Sequence, residues 1–201
     1  MKIVIAGLIA LFIITSSAFS QDDNKIGVGA SYGMNLVIED GPTPVINFST
    51  IYVPINMSGF RLEPFLMFFT SSSSYQMEGQ TSTSERSFTG LTFGSGFFYL
   101  MKSNKSAVPY LGLRVGYGSN SSKTKSGSSE SESSGGFLFL GGVLGGEYYF
   151  SPSFSIGADV GISYYNFFTP TSKSGQSETK YSSYSNSEIS TTAQILARIF
   201  F

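Results

Sequence analysis

The chain contains no cysteine and no histidine, and only 12% of its residues are charged. Without cysteine, an exported fold must hold without disulfides, which excludes a small stapled secreted scaffold. Without histidine, the commonest general base and metal ligand are missing, and so is every Ser-His or Cys-His nucleophile arrangement. The charged fraction falls well under the ~25% of ordinary soluble domains, too little for a usual water-facing surface. A net charge of -1 indicates neither nucleic acid nor an acidic lipid surface as a partner.

Long apolar runs are also missing. The longest candidate, Ile3 to Ile14, follows Met1-Lys2 and leads through small residues to a polar Gln21-Asp22-Asp23. It is shorter than the ~20 residues of a membrane-spanning helix. A basic start, a short apolar core and a small-residue exit predict a signal peptide over 1–20, cleaved after about Ser20; an uncleaved anchor helix is the rival reading. The remaining stretch of about 180 residues suits one domain, 21–201.

What is present is alternation. Segments with apolar residues at every second position are separated either by Ser/Thr/Gly-rich tracts or by short turns, the pattern of strands with one apolar face. Eight strands are predicted near 25–38, 45–56, 59–72, 86–101, 107–120, 136–150, 153–168 and 187–201; ten are not excluded. Long polar tracts, expected as loops, follow the first, third, fifth and seventh, and include SSSSYQMEGQTSTSE, SNSSKTKSGSSESESSG and TPTSKSGQSETKYSSYSNS. Tight links follow the others, at Met57-Ser58-Gly59, 102–106 and Ser151-Pro152-Ser153. Long connections at one end and short ones at the other match a membrane barrel, and an even strand number puts both termini on the short-turn side.

The parity of the charges separates this reading from a soluble β-sandwich. Leu111, Leu113 and Val115 alternate with Arg114; Leu138, Leu140 and Leu144 fall on the parity opposite Glu147; Ile156, Val160 and Ile162 lie opposite Asp159. Arg61 and Glu63 likewise oppose Phe60, Leu62 and Leu66, and Arg198 opposes Ile195, Ala197, Ile199 and Phe201. A charge facing lipid at the midplane costs about 2–4 kcal/mol, so a membrane barrel must turn all six inward. Arg61, Glu63, Arg114, Glu147, Asp159 and Arg198 are therefore expected to form an interior ion-pair network.

Other features fit the same frame. Glycines on the inner parity, among them Gly27, Gly29, Gly33, Gly112, Gly116 and Gly161, leave room in a narrow barrel for large side chains opposite. Tyr99, Tyr117, Tyr148, Phe150, Tyr164 and Phe167 are candidates for interfacial aromatic girdles. GFLFLGGVLGGEYYF (136–150) is too short and glycine-rich for a membrane helix, and GVGASYG lacks the third glycine and following helix of a phosphate loop. Dispersed Glu130, Glu132 and Glu178 form no calcium motif and read as solvated loop charge.

The apolar leader, the eight amphipathic strands, the unequal connections and the terminal phenylalanine together resemble small outer-membrane β-barrels of the OmpX/OmpA transmembrane-domain type. The resemblance spans essentially all of 21–201 and implies an all-β, eight-stranded antiparallel up-and-down barrel in the bacterial outer membrane, with periplasmic termini. It also implies that Ile195, Ala197, Ile199 and Phe201 are read by the outer-membrane assembly machinery. Enzymes among such barrels depend on histidine, so a non-enzymatic barrel without cofactor is expected. Paired carboxylates among Glu63, Glu147 and Asp159 read as partners of arginine rather than as catalysts. The expected role is envelope integrity or surface interaction with an unidentified ligand, the barrel being set in outer-membrane lipid; a narrow pore for small solutes or ions is the alternative.

Overall fold

The computed structural model describes residues 25–37, 45–76, 83–101, 106–126, 129–174, 177–180 and 185–201. The predicted signal peptide, the EDGPTP connection and Lys102 to Lys105 lie outside these residues.

Among the described residues, ten strands form a single antiparallel sheet: β1 (Gly27–Val37), β2 (Val45–Tyr52), β3 (Ile55–Met57), β4 (Phe60–Gln76), β5 (Thr83–Leu100), β6 (Ala107–Ser126), β7 (Ser129–Ser151), β8 (Phe154–Ser174), β9 (Ser177–Lys180) and β10 (Ser185–Phe200). β10 pairs with both β1 and β8, so the sheet closes on itself. β2 and β3 are two parts of one stave, as are β9 and β10, and the barrel has eight staves. The break in the β2–β3 stave falls at Val53-Pro54, because proline has no N–H for the ladder. The Pro54 carbonyl still accepts from Gly27 N at 2.9 Å. Closure leaves no unpaired edge through the apolar band, which a strand structure in lipid requires.

The tight turns sit where the alternation placed them. Ser58 and Gly59 both have positive φ, at 28° and 94°. Positive φ at both central residues is the two-residue hairpin geometry whose twist matches the flanking strands. Pro152 and Ser153 make the turn between β7 and β8 without positive φ.

The polar tracts differ from expectation. β4 continues to Gln76 and β5 begins at Thr83; β6 runs to Ser126, β7 starts at Ser129, and β8 reaches Ser174 before β9 pairs back on it. Much of what composition suggested was loop is therefore strand, rising beyond the apolar band on the β4 to β9 side. Cross-strand pairing explains the difference: Lys123 lies opposite Glu132 and Lys125 opposite Glu130, and opposite charges facing each other stabilise a polar sheet. Glu132 is in turn opposite Lys173, and Lys173 opposite Glu178. A bulge keeps that register, since Thr169 and Pro170 fall between the rungs Gly136–Phe168 and Ser134–Thr171.

The two faces are sharply divided. Leu113, Leu138, Leu140, Leu144, Val160, Ile162, Ile195 and Phe201 are all more than half exposed. The outward band also carries the predicted girdle residues Tyr99, Tyr117, Tyr148, Phe150 and Tyr164. Phe167 is an exception: it points inward and packs against Phe137 and Tyr165 at ring-centroid distances of 5.6 and 6.2 Å. Its parity in β8 is that of the inward Asp159 and Tyr165, and its closeness to a strand end had suggested the girdle.

Candidate functional site

The interior has two layers. The layer nearer the short turns is ionic and the other is aromatic. Both arise from the inner parity of the same strands, so their composition changes only with height along each strand.

Arg61, Glu63, Arg114, Glu147, Asp159 and Arg198 come together in the ionic layer from β4, β6, β7, β8 and β10. Arg198 donates from Nε to Glu63 at 2.8 Å and from Nη1 to Glu147 at 2.9 Å. Arg61 pairs with the second Glu147 oxygen and donates from Nε to Asn56 at 2.7 Å. Arg114 holds Asp159 through two nitrogens at 2.8 and 3.3 Å, a fork on carboxylate that lysine could not make. Arg114 also stands 3.7 Å from Glu63, which joins the two ends of the network.

Neutral side chains extend it. Tyr149 donates to Glu147 at 2.6 Å and Ser155 does so at 3.1 Å. Asp159 accepts from Tyr110 at 3.1 Å and from Gln194 at 2.9 Å; Gln194 accepts from Ser31 and from Tyr52, each at 2.8 Å. Aromatic faces take the remaining surface of the guanidinium groups. Arg61 lies 5.8 Å from the Phe200 ring centroid and Arg114 lies 5.3 Å from that of Phe98, within cation–π range. Phe200, the inward residue of the closing Phe-Phe pair, also stacks on Tyr149 at 5.8 Å and fills the short-turn end.

Tyr52, Tyr110, Asn56, Ser155 and Tyr149 were not singled out as network members from sequence. Each shares the inner parity of its strand with a charged or polar partner, and that parity was the only signal. Which of them reach which carboxylate depends on strand stagger.

Above the ions, Tyr52, Phe65, Phe137, Phe139 and Tyr165 form a buried cluster, with Met67, Phe69 and Phe167 packed against it. The rings lie over glycines. A Cβ at Gly90 would come 1.9 Å from Phe69 Cζ, one at Gly94 2.6 Å from Phe65 Cζ, and one at Gly118 2.3 Å from Phe137 Cζ. Glycine on the neighbouring strand, directly opposite each ring in the ladder, is what lets so many aromatics share so narrow a bore. A small cavity of about 30 Å³ lies between the layers, lined in part by Arg114, Thr50, Ser163, Thr192 and Gln194.

The three positive and three negative charges balance, and the six groups are committed to one another. Among the described residues no group of three or more acidic, cysteine or histidine side chains is placed to hold a metal ion. Glu130 and Glu132 stand apart from the interior, 3.8 Å from Lys125 and 3.6 Å from Lys123 on the raised strands. The arrangement is a filled, hydrogen-bonded core.

No family model and no curated protein matches the sequence. Solved structures do match in fold. Neisserial surface protein A aligns over 88% of this chain and 97% of its own at 16% identity, with a TM-score of 0.53. Ail, the attachment invasion locus protein of Yersinia pestis, in complex with the heparin analogue sucrose octasulfate, aligns over 90% and 100% at 14% identity and a TM-score of 0.54. A major outer membrane protein from Thermus thermophilus aligns over 88% and 99% at 15% identity and a TM-score of 0.60. Closed barrel, inward charges and lipid-like outer band together give this chain the fold of the small eight-stranded outer-membrane β-barrels.

Proposed function

We propose that the protein is a non-enzymatic, non-conducting barrel of the bacterial outer membrane that presents a rigid polar β-sheet at the cell surface for interaction with other molecules. In this reading residues 1–20 direct export and are removed, and both termini face the periplasm. Ile195, Ala197, Ile199 and Phe201 form the lipid-facing edge recognised by the assembly machinery. The observation that carries the reading is the contrast between a bore filled by paired ions and packed rings and a wall that continues as ordered, charge-paired strands beyond the apolar band. A channel would need the opposite, an open bore with an unobstructed polar lining.

Ail was solved with a sulfated heparin analogue bound. On this chain the exposed lysines of the raised strands sit beside glutamates, so a highly sulfated ligand would have to displace those partners. A surface ligand here is better matched by hydroxyl chemistry.

The test is whole-cell labelling with a membrane-impermeant amine reagent, comparing wild type with Lys123→Gln/Lys125→Gln. Labelling of intact cells that falls in the variant supports surface display. Labelling seen only after the outer membrane is opened would contradict it. Reconstitution into planar bilayers tests the closed bore in parallel, and reproducible single-channel steps would favour the pore reading instead.

A further inference from the structure

The outer wall carries a feature unused by the interior or by the raised sheet's upper end. At the height where the apolar band gives way to polar strands, an open cleft of about 560 Å³ lies across β5, β6 and β7, lined by Leu91, Tyr117, Thr89, Ser119, Ser121 and Ser134. These are outward positions. Below the cleft runs a row of rings: Phe93 to Tyr117 at 5.5 Å and Tyr117 to Phe168 at 5.9 Å. The last contact passes over Gly136, where a Cβ would come 2.9 Å from Phe168 and 3.2 Å from the Tyr117 hydroxyl. Above the cleft, Ser121 donates to Glu132 at 3.3 Å and Lys123 stands 3.6 Å from the same side chain.

We infer that this cleft seats the uncharged sugar headgroup of an outer-leaflet glycolipid, with the ring of Tyr117 beneath the sugar and the Thr89, Ser119 and Ser134 hydroxyls at its edge. Three features define that occupant. The depth is that of a headgroup, because the ring row marks the interface and lipid-facing side chains begin directly below it. The lining offers a flat amphipathic ring and several exposed hydroxyls, which suit a molecule with an apolar face and many O–H groups. Among the described residues, the lysines above the cleft, Lys123 and Lys125, are each paired with a glutamate, so neither is free to hold a phosphate.

The inference rests on the outer-membrane reading above, yet it can be tested without cells. Purified protein is placed in nanodiscs of phosphatidylcholine doped with digalactosyldiacylglycerol or, separately, with phosphatidylglycerol. Lipid retained after mild extraction is then measured by native mass spectrometry. The expected result is preferential retention of the galactolipid. That preference is lost in Ser134→Leu, which fills the cleft, and in Tyr117→Leu, which removes the ring, but is kept in Ser72→Leu on the outer face of β4. A heat-dependent gel shift identifies folded protein, and only variants that keep it are compared. Equal retention of all three lipids, preference for phosphatidylglycerol, or a galactolipid preference untouched by Ser134→Leu would each overturn the inference. Location in cells is read by fractionation alone, so failure of the membrane reading is seen separately.

Discussion

Arg198 Nε lies 2.8 Å from a Glu63 carboxylate oxygen, joining the closing strand to β4 across 135 residues of sequence. Both side chains are fully buried. Removing Arg198 leaves the buried Glu63 and Glu147 each short of a partner. Arg198→Met is expected to cost about 3–5 kcal/mol, whereas Arg198→Met with Glu63→Met, which removes one charge of each sign, should cost less. Denaturant unfolding in detergent micelles, followed by the gel shift between folded and unfolded forms, measures both. A double variant as unstable as the single would contradict a balanced network.

The ring-over-glycine packing makes two glycines of β5 and β7 behave oppositely. Gly90→Ala places a methyl group inside the Phe69 ring and should destabilise by about 1–3 kcal/mol. Phe69→Leu in the same chain should recover part of the loss. A Cβ at Gly142 meets nothing within 4 Å, so Gly142→Ala should be tolerated. The same unfolding assay distinguishes them.

Charge placement predicts a gradient with height. Leu144 is 58% exposed on the outer face of β7, and Leu144→Arg should cost about 2–4 kcal/mol in a bilayer if it lies near the midplane. Lys123→Ala on the raised strands breaks an exposed pair and should change stability by less than about 1 kcal/mol. Folding into lipid vesicles from urea gives both values; equal costs would argue against a membrane band at Leu144.

Conductance should be insensitive to the ionic layer alone. With the aromatic cluster of Tyr52, Phe65, Phe137, Phe139 and Tyr165 stacked above it, neither wild type nor Arg114→Ala is expected to give single-channel steps in planar bilayers. Regular steps from Arg114→Ala would locate the seal in the ions rather than the rings.

The barrel was legible because its two solvents are so different. Placing Arg114 between Leu113 and Val115, or Glu147 next to Tyr148, is compatible with a strand only if one face avoids lipid, and parity then assigns every neighbour. Phe200 shares the parity of Arg198, which directs it inward, and it is buried against Tyr149. The raised strands were not legible. Serine, lysine and glutamate have weak strand preference on their own, and SNSSKTKS continues β6 because β5 and β7 both pair with it, β7 presenting its glutamates in register. Phe167 was misplaced for a related reason, since nearness to a predicted strand end outweighed its parity.

Sequence by itself therefore determined which side of each strand meets lipid and which meets the bore, because a two-residue period leaves each side chain only two directions. Tertiary structure decided the partners. Arg198 reaches Glu63 and Glu147, while Arg114 takes Asp159, because closure of β10 on β1 and β8 sets the stagger of the staves. The height of each inward side chain in the bore, and so its distance from every other, follows from that stagger alone.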